Sequence, residues 1–314
     1  MKLQTQIPFL SQENNQIDYK SKILLFGSCF SDNIGKKLDY FKFENGQNPF
    51  GILFHPKAIE NLIENAIQDK VYSGDDVFFH NEQWHCFDAH SKLSNSFKDV
   101  LVDKLNLQAE STKNQLKNAS HIVITLGTAW VYNLIETNSI VANCHKIPQK
   151  QFNKTLLSVE EITTSLKNIL SQIRSLNNSA IVIFTVSPVR HIKDGFVENT
   201  QSKSHLLTAI HQVISQKSFY FPSYEIMMDE LRDYRFYTED MIHPNATAIN
   251  YIWEKFQQVW ISNDALNIMQ AVDVVQKGIK HKAFNPNSEA HLKFLQQLEN
   301  KKETLQSQFP NMVF

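Results

Sequence analysis

The chain has 314 residues, 42% hydrophobic and 20% charged, a globular composition that excludes a disordered or fibrous protein. Its 31 Lys and Arg residues are balanced by 32 Asp and Glu, so it lacks the positive field of a dedicated nucleic-acid or membrane-surface binder. No apolar run is long enough to cross a bilayer, and Met1-Lys2-Leu3-Gln4-Thr5-Gln6-Ile7-Pro8 lacks the continuous apolar core of a secretory signal. The three cysteines, Cys29, Cys86 and Cys144, are too few and too scattered for a disulfide framework, so a reduced, cytoplasmic setting is expected.

In chain order, Ile23-Leu24-Leu25-Phe26 is the first run apolar on both faces, the mark of a central strand in a parallel sheet. Gly27 ends it, and a helix over 32–38 should follow. Pro56 to Asp69 has helical spacing of Ala58, Ile59, Leu62, Ile63 and Ala66, with proline where its missing N–H costs nothing. Val77 to His90 reads as a hairpin. A helix over 101–116 leads into the second central strand, Ile122-Val123-Ile124-Thr125-Leu126, which ends in Gly127. Ser139 to Cys144 reads as a short strand; with the hairpin it is expected as an insertion at one edge of the sheet. A helix over 159–173 precedes the third central strand, Ile181-Val182-Ile183-Phe184-Thr185-Val186, ending in Ser187. The next helix opens after Lys193-Asp194-Gly195, with Asn199 or Ser202 expected to cap it. Phe219-Tyr220-Phe221 is a late strand and 245–260 a helix. Asn285-Pro286-Asn287 breaks the chain before a polar helix over 290–305 that carries Leu292, Leu295 and Leu298.

Alternating strands and helices predict a three-layer open α/β sheet, mainly parallel and flavodoxin-like, with a C-terminal helical appendage. Residues 1–261 form the expected main domain and 262–314 the extension. Leu292, Leu295 and Leu298 could dock on that domain or on another copy of the chain, giving a homo-oligomer.

Ligands of such sheets bind beyond the carboxyl ends of the strands. Four segments should meet there: Gly27-Ser28-Cys29-Phe30-Ser31, Gly127-Thr128-Ala129-Trp130, Ser187-Pro188-Val189-Arg190-His191, and Thr238 to Pro244 with Asp240-Met241-Ile242-His243. A cysteine at a helix N-terminus can become a thiolate nucleophile, and the same amides can hold an oxyanion. A carboxylate three residues before a histidine can fix the ring so that its other nitrogen faces a nucleophile.

Together these segments resemble the GSCFA family, related to the SGNH or GDSL-type hydrolases, with Ser31 where the name has alanine. Asn48-Pro49-Phe50-Gly51, Leu126-Gly127-Thr128-Ala129-Trp130, Asn143-Cys144-His145-Lys146, Ser187-Pro188-Val189-Arg190-His191 and Tyr234-Arg235-Phe236-Tyr237 carry the resemblance over residues 1 to 260. It implies acyl transfer to or from an ester, by a hydrolase or an acyltransferase, on a small molecule or an O-acylated glycan. No cofactor, nucleic acid or membrane is implied. The nucleophile is Cys29 if the esterases' Gly-Asp-Ser is laid on without a gap, or Ser28 if serine is laid on serine. Asp240 and His243 take the remaining catalytic places. Gly51 and Gly127 fall on the two oxyanion blocks. The asparagine of the second block is missing, and Asn143 is the candidate replacement. His145, Arg190 and His191 fall in the motifs expected around the substrate.

Other constellations are weaker. A zinc site would need Cys29, Cys144, His145 and His243 brought together, and no ligand spacing in the sequence supports one. His85 and His90 are expected on a half-exposed hairpin. Arg190 and Arg235 suit a substrate carboxylate or phosphate, or an internal ion pair such as Arg235 with Asp233 or Asp240. Trp84, Phe87, Trp130 and Tyr132 could line a sugar or acyl cleft, or fill the core. The alternative to an enzyme is a binding protein that uses the same pocket for a small anionic or carbohydrate ligand.

Overall fold

A computed structural model describes residues 5–314; residues 1–4, the start of the segment read above as no signal and of the expected main domain, lie outside it. Strand β1 (Ile23–Gly27) passes through helix α1 (Cys29–Tyr40) to the short strand β2 (Asn45–Gln47). Helix α2 (Pro56–Ile67) follows, then a hairpin of β3 (Phe78–His80) and β4 (Gln83–His85), and helix α3 (Lys98–Asn118). Strand β5 (His121–Leu126) is followed by three short strands, β6 (Trp130–Leu134), β7 (Ser139–Val141) and β8 (Phe152–Leu156). Helix α4 (Val159–Leu176), strand β9 (Ile181–Val186), helix α5 (Phe196–His211) and strand β10 (Ser218–Tyr220) complete the sheet. The single turn α6 (Ser223–Glu225) leads to α7 (Ala246–Trp260), α8 (Asn263–Lys280) and α9 (Glu289–Gln308).

The central sheet is all parallel, in the order β10-β9-β5-β1-β2. Strands β1, β5 and β9 are buried along their whole length, because the sheet is covered on both faces. Side chains alternate between two cores. Leu24, Phe26, Ile122, Ile124, Val182 and Phe184 face one core, with Ile59, Leu105, Leu166 and Leu206 of α2, α3, α4 and α5. Ile23, Leu25, Val123, Ile181 and Ile183 face the other, with Ile34 and Leu38 of α1 and Ile252 and Phe256 of α7. Fully burying one such side chain contributes roughly 1.5–3 kcal/mol, so these rows supply most of the drive for the layered arrangement.

The strand order reverses between β1 and β5, which makes their carboxyl ends the switch point at which ligands of such sheets bind. The structure thus has the expected flavodoxin-like, three-layer sheet.

Several local expectations change. The hairpin β3-β4 and the strand β7 do not extend the sheet edge. They belong to separate antiparallel sheets, β3-β4 and β7-β6-β8, because each pairs only with its own neighbours. His85 is buried rather than half-exposed, its ring bonded to Ser94 Oγ and the His80 carbonyl. Helix α1 begins at Cys29, three residues earlier than expected, because Ser28 supplies its cap.

The two last helices pack on each other around Val272, Val275, Leu298 and Leu305, with Leu298 seated on Gly278, where a Cβ would come within 2.5 Å of it. They dock on the far end of α1: Tyr40 Oη donates to Asp273, and Gln276 donates to the Tyr40 carbonyl. Leu298 is turned inward, whereas Leu292 and Leu295 stay 57% and 43% exposed.

Candidate active site

The candidate site begins where β1 ends. Gly27 has φ +127°, and a Cβ there would lie 2.0 Å from the Thr125 carbonyl oxygen, so only glycine lets the chain turn this close to β5. Ser28 is fully buried and caps α1: its Oγ accepts from Phe30 N–H at 3.2 Å while its own N–H donates to the Thr125 carbonyl. Cys29, half-exposed, is the first residue of the helix, where backbone amides have no intrahelical acceptor. Burial, and then the carboxylate of Asp32, push its thiol above the ordinary value; the amides of Cys29 and Phe30 and the charge of Lys203 pull the other way. The net result is a resting thiol that needs a base. Ser31 fits where the family name has alanine because its buried hydroxyl bonds the Phe26 carbonyl and the Thr125 hydroxyl.

The second half of the site is the loop before α7. The Nδ1 of His243 lies 2.6 Å from Oδ2 of Asp240, and because a carboxylate only accepts, Nδ1 carries the proton of this bond. The other oxygen of Asp240 accepts from Thr238 Oγ1 and from the amides of Ile242 and His243. The His243 amide first, then the Thr238 hydroxyl and the Ile242 amide, hold the Asp240 carboxyl far below the usual range. Both side chains are 46% exposed. The amide of Arg190 donates to the Ile242 carbonyl, which ties the loop after β9 to this one.

Between the halves lies a buried polar face of α5. Lys203 is 1% exposed, and its Nζ donates to the carbonyls of Gly127 and Ser187 at 2.8 Å each, the ends of β5 and β9. Burial pushes its pKa down to about 7, with the Cys29 charge opposing. Ser202 Oγ accepts from the Ala129 amide, and Asn199 Oδ1 from the His191 amide. Asn199 and Ser202 therefore sit inside the helix and face the sheet ends. The capping role expected of them fails because α5 starts at Phe196 with Gly195 before it. The ring of His191 lies edge-on to Phe54, its Nε2 buried with no hydrogen-bond partner among the described residues; burial, with the charges of Lys203 and His243, pushes its pKa down to about 3. A Cβ at Gly127 would lie 3.1 Å from that nitrogen.

The sequence reading missed Lys203. The signal was present: Asn199, Ser202 and Lys203 continue the stripe of Leu206, Ala209 and Ile210, so polar residues occupy a face that should be buried.

The remaining expected residues are placed as follows. Asn48 joins the first segment through its side chain, accepting from the Gly27 amide and donating to Asp32. Gly51 turns at φ +76° against His90, and its own N–H donates to the Asn48 carbonyl at 2.7 Å. The Gly127 N–H donates to the Phe54 carbonyl. Asn143 Oδ1 accepts from the His145 amide, and His145 is buried, with Nε2 donating to the Cys86 carbonyl and Nδ1 accepting from Ser91. Burial pushes the His145 pKa down to about 4. Among the described residues no three His, Cys, Asp or Glu side chains are grouped as a metal would require, so Cys29, Cys144, His145 and His243 are not gathered into one set. Arg235 pairs with Asp233 at 3.0 Å. Trp130 and Tyr132 share Lys154, whereas Trp84 packs on Phe79 and Phe87 stacks on Phe78.

The model of the GSCFA family matches residues 22–256, and that of the GSCFA C-terminal domain matches residues 272–314. The chain belongs to the GSCFA family. No curated protein matches this GSCFA chain. Among solved structures it is similar to an acetyl esterase mutant with acetate ion, at 10% identity and TM-score 0.37 over 81% of this chain and 99% of that one. A carbohydrate esterase family 3 protein from Talaromyces cellulolyticus matches at 8% identity and TM-score 0.35, over 81% of the GSCFA chain and 99% of the esterase. An acetyl xylan esterase from the rumen bacterium Butyrivibrio proteoclasticus matches at 9% and 0.37, over 83% and 64%. Among the described residues no helix is long and apolar enough to cross a membrane.

Proposed function

We propose that this GSCFA protein is an acyl-transfer enzyme acting on esters, with Cys29 as nucleophile, His243 as base and Asp240 orienting the ring. The observation that carries the reading is the Asp240–His243 pair at 2.6 Å, on a loop tied by Arg190 to the sheet end at which Cys29 opens α1. Cys29 is preferred to Ser28 because Ser28 is fully buried and its Oγ is engaged as a cap.

Nε2 of His243 takes the thiol proton as sulfur attacks the ester carbonyl carbon. The carbonyl π electrons move to oxygen, and the Cys29 amide at the start of α1 stabilises that charge; one such donor is worth about 3 kcal/mol in the transition state. The C–O bond then breaks, His243 returns its proton to the leaving alcohol, and a thioester remains on Cys29. Water, activated by the same ring, completes hydrolysis; an acceptor alcohol in its place completes acyl transfer. Gly51 shapes the turn beside the site, its amide being already bonded to Asn48. Lys203 places a positive charge behind the sulfur. Residues 1–261 carry this chemistry and 262–314 support it. The substrate is a small-molecule or glycan ester, as the resemblance to SGNH hydrolases implies, and a free thiol nucleophile suits a reducing cytoplasm.

The test is hydrolysis of p-nitrophenyl acetate. Cys29→Ala and His243→Ala should each lower kcat/KM by about 10³-fold or more with folding intact. Full activity in His243→Ala sinks the proposal. The thiol's raised pKa favours a second reading, a binding protein using the same site. Iodoacetamide labelling of Cys29 no faster than that of a free thiol, together with no ester turnover, would select it.

A further inference from the structure

Arg190 carries a charge that nothing neutralises among the described residues. Its Nε is buried without an acceptor, and its guanidinium makes no ion pair or hydrogen bond there; the ring of Phe196 lies 5.7 Å away. The other arginines differ. Arg174 donates to the carbonyls of Ala180 and Lys217, Arg235 pairs with Asp233, and Arg232 faces solvent. Arg190 is only partly exposed, with its Nε out of water, so its charge is less well solvated than one on the open surface, and an anion that meets it offsets that cost.

Several neighbouring carboxylates are already engaged, whereas Asp229, whose charge acts on the Tyr224 phenol, makes no ion pair with Arg190 among the described residues. Asp240 is bound to His243, Asp194 to Lys154 and Asp233 to Arg235, and Glu225 accepts from Tyr220. The second cation nearby, Lys203, has only carbonyl partners. Both lie against Tyr224: Lys203 Nζ is 5.5 Å from its ring, and the charge of Arg190 acts on the phenols of Tyr224 and Tyr237. The Arg190 amide is bonded to the carbonyl of Ile242, the residue before His243, so the charge stands at the catalytic loop.

We infer that Arg190 binds an acidic group on the substrate, a carboxylate or a phosphate, so that the preferred esters are anionic. The planar fork offers its two terminal nitrogens, which are not buried and have no partner among the described residues, to two oxygens of that group. The inference rests on the Cys29–His243 reading for where the reacting carbonyl lies.

The experiment compares p-nitrophenyl acetate with mono-p-nitrophenyl succinate, and measures protection of Cys29 from iodoacetamide by succinate and by inorganic phosphate. The wild type should favour the succinate ester at least tenfold in kcat/KM, through KM. Arg190→Met and Arg190→Gln, each checked for native melting, should bring that ratio to about 1, and Arg190→Lys should leave it between the two. Succinate or phosphate should slow labelling at least threefold in the wild type and not in Arg190→Met; the anion acting at lower concentration identifies the acid group. Protection lost in Arg190→Met, with no ester cleaved by any form, supports anion binding while removing the esterase reading. Equal preference for the two esters, or equal protection in wild type and Arg190→Met, overturns the inference.

Discussion

Asp240 holds the ring of His243 with one carboxylate oxygen, at 2.6 Å, and the backbone of its own loop with the other. The ring's tautomer and the loop's shape thus depend on a single carboxylate. Asp240→Asn should lower kcat/KM by about 10²–10⁴-fold with a smaller change in KM, because the amide can present N–H to Nδ1 and select the wrong tautomer. Steady-state kinetics on p-nitrophenyl acetate checks this; a KM effect alone would contradict it.

The same carboxylate makes stability depend on acid. Its folded pKa lies well below the unfolded value of about 3.9, so its contribution is fully present above that value and is lost as pH falls through the folded pKa. The melting temperature of wild type minus that of Asp240→Asn should therefore be constant near neutrality and shrink below about pH 4. A difference that grows with acid would reverse the sign.

Lys203 has the opposite pH signature. Its folded pKa, near 7, is below the ordinary lysine value, so the unfolded chain binds more protons between the two and stability rises with pH across that window. Lys203→Met should abolish this rise. It should also cost about 2–4 kcal/mol in urea unfolding, since the carbonyls of Gly127 and Ser187 lose their shared donor. An unchanged pH slope in Lys203→Met would count against the assignment.

Ser28 and Cys29 should separate cleanly. Ser28→Ala should cost about 1 kcal/mol, the loss of an N-cap, and leave Cys29 open to iodoacetamide. Complete loss of turnover in Ser28→Ala with normal Cys29 labelling would move the nucleophile to the serine.

The appendage is tested at Leu298, which fills the space over Gly278. Leu298→Ala should cost roughly 2–4 kcal/mol. Limited proteolysis should then cut first within residues 281–288, and a protease-resistant tail in the variant would show that this contact does not hold α9.

What was legible in the sequence follows from burial. Strands β1, β5 and β9 are apolar on both faces because both are covered, and that pattern survives in any reading of the chain. Strand β2 is Asn45-Gly46-Gln47, held at the edge by backbone pairing with β1, and nothing in its side chains announces a strand. Strand β8, Phe152-Asn153-Lys154-Thr155-Leu156, is exposed at its three central residues and equally silent. The spacing of Asp240 and His243 carried their pairing directly. The stripe that Lys203 continues marks it as buried, but a polar residue early in a helix reads first as a cap or a solvated face. Its role appears only when the ends of two strands far apart in sequence converge on it.

Helix α1 is anchored at both ends, by β5 at Ser28 and by α8 through Tyr40. It is a rod of 12 residues, about 18 Å long. The height of the sulfur above the sheet is therefore set partly from the opposite pole of the molecule. A deletion that removed the final two helices would cut no bond to the site, yet it would free the rod's tail to pivot and so detune the thiol from a distance.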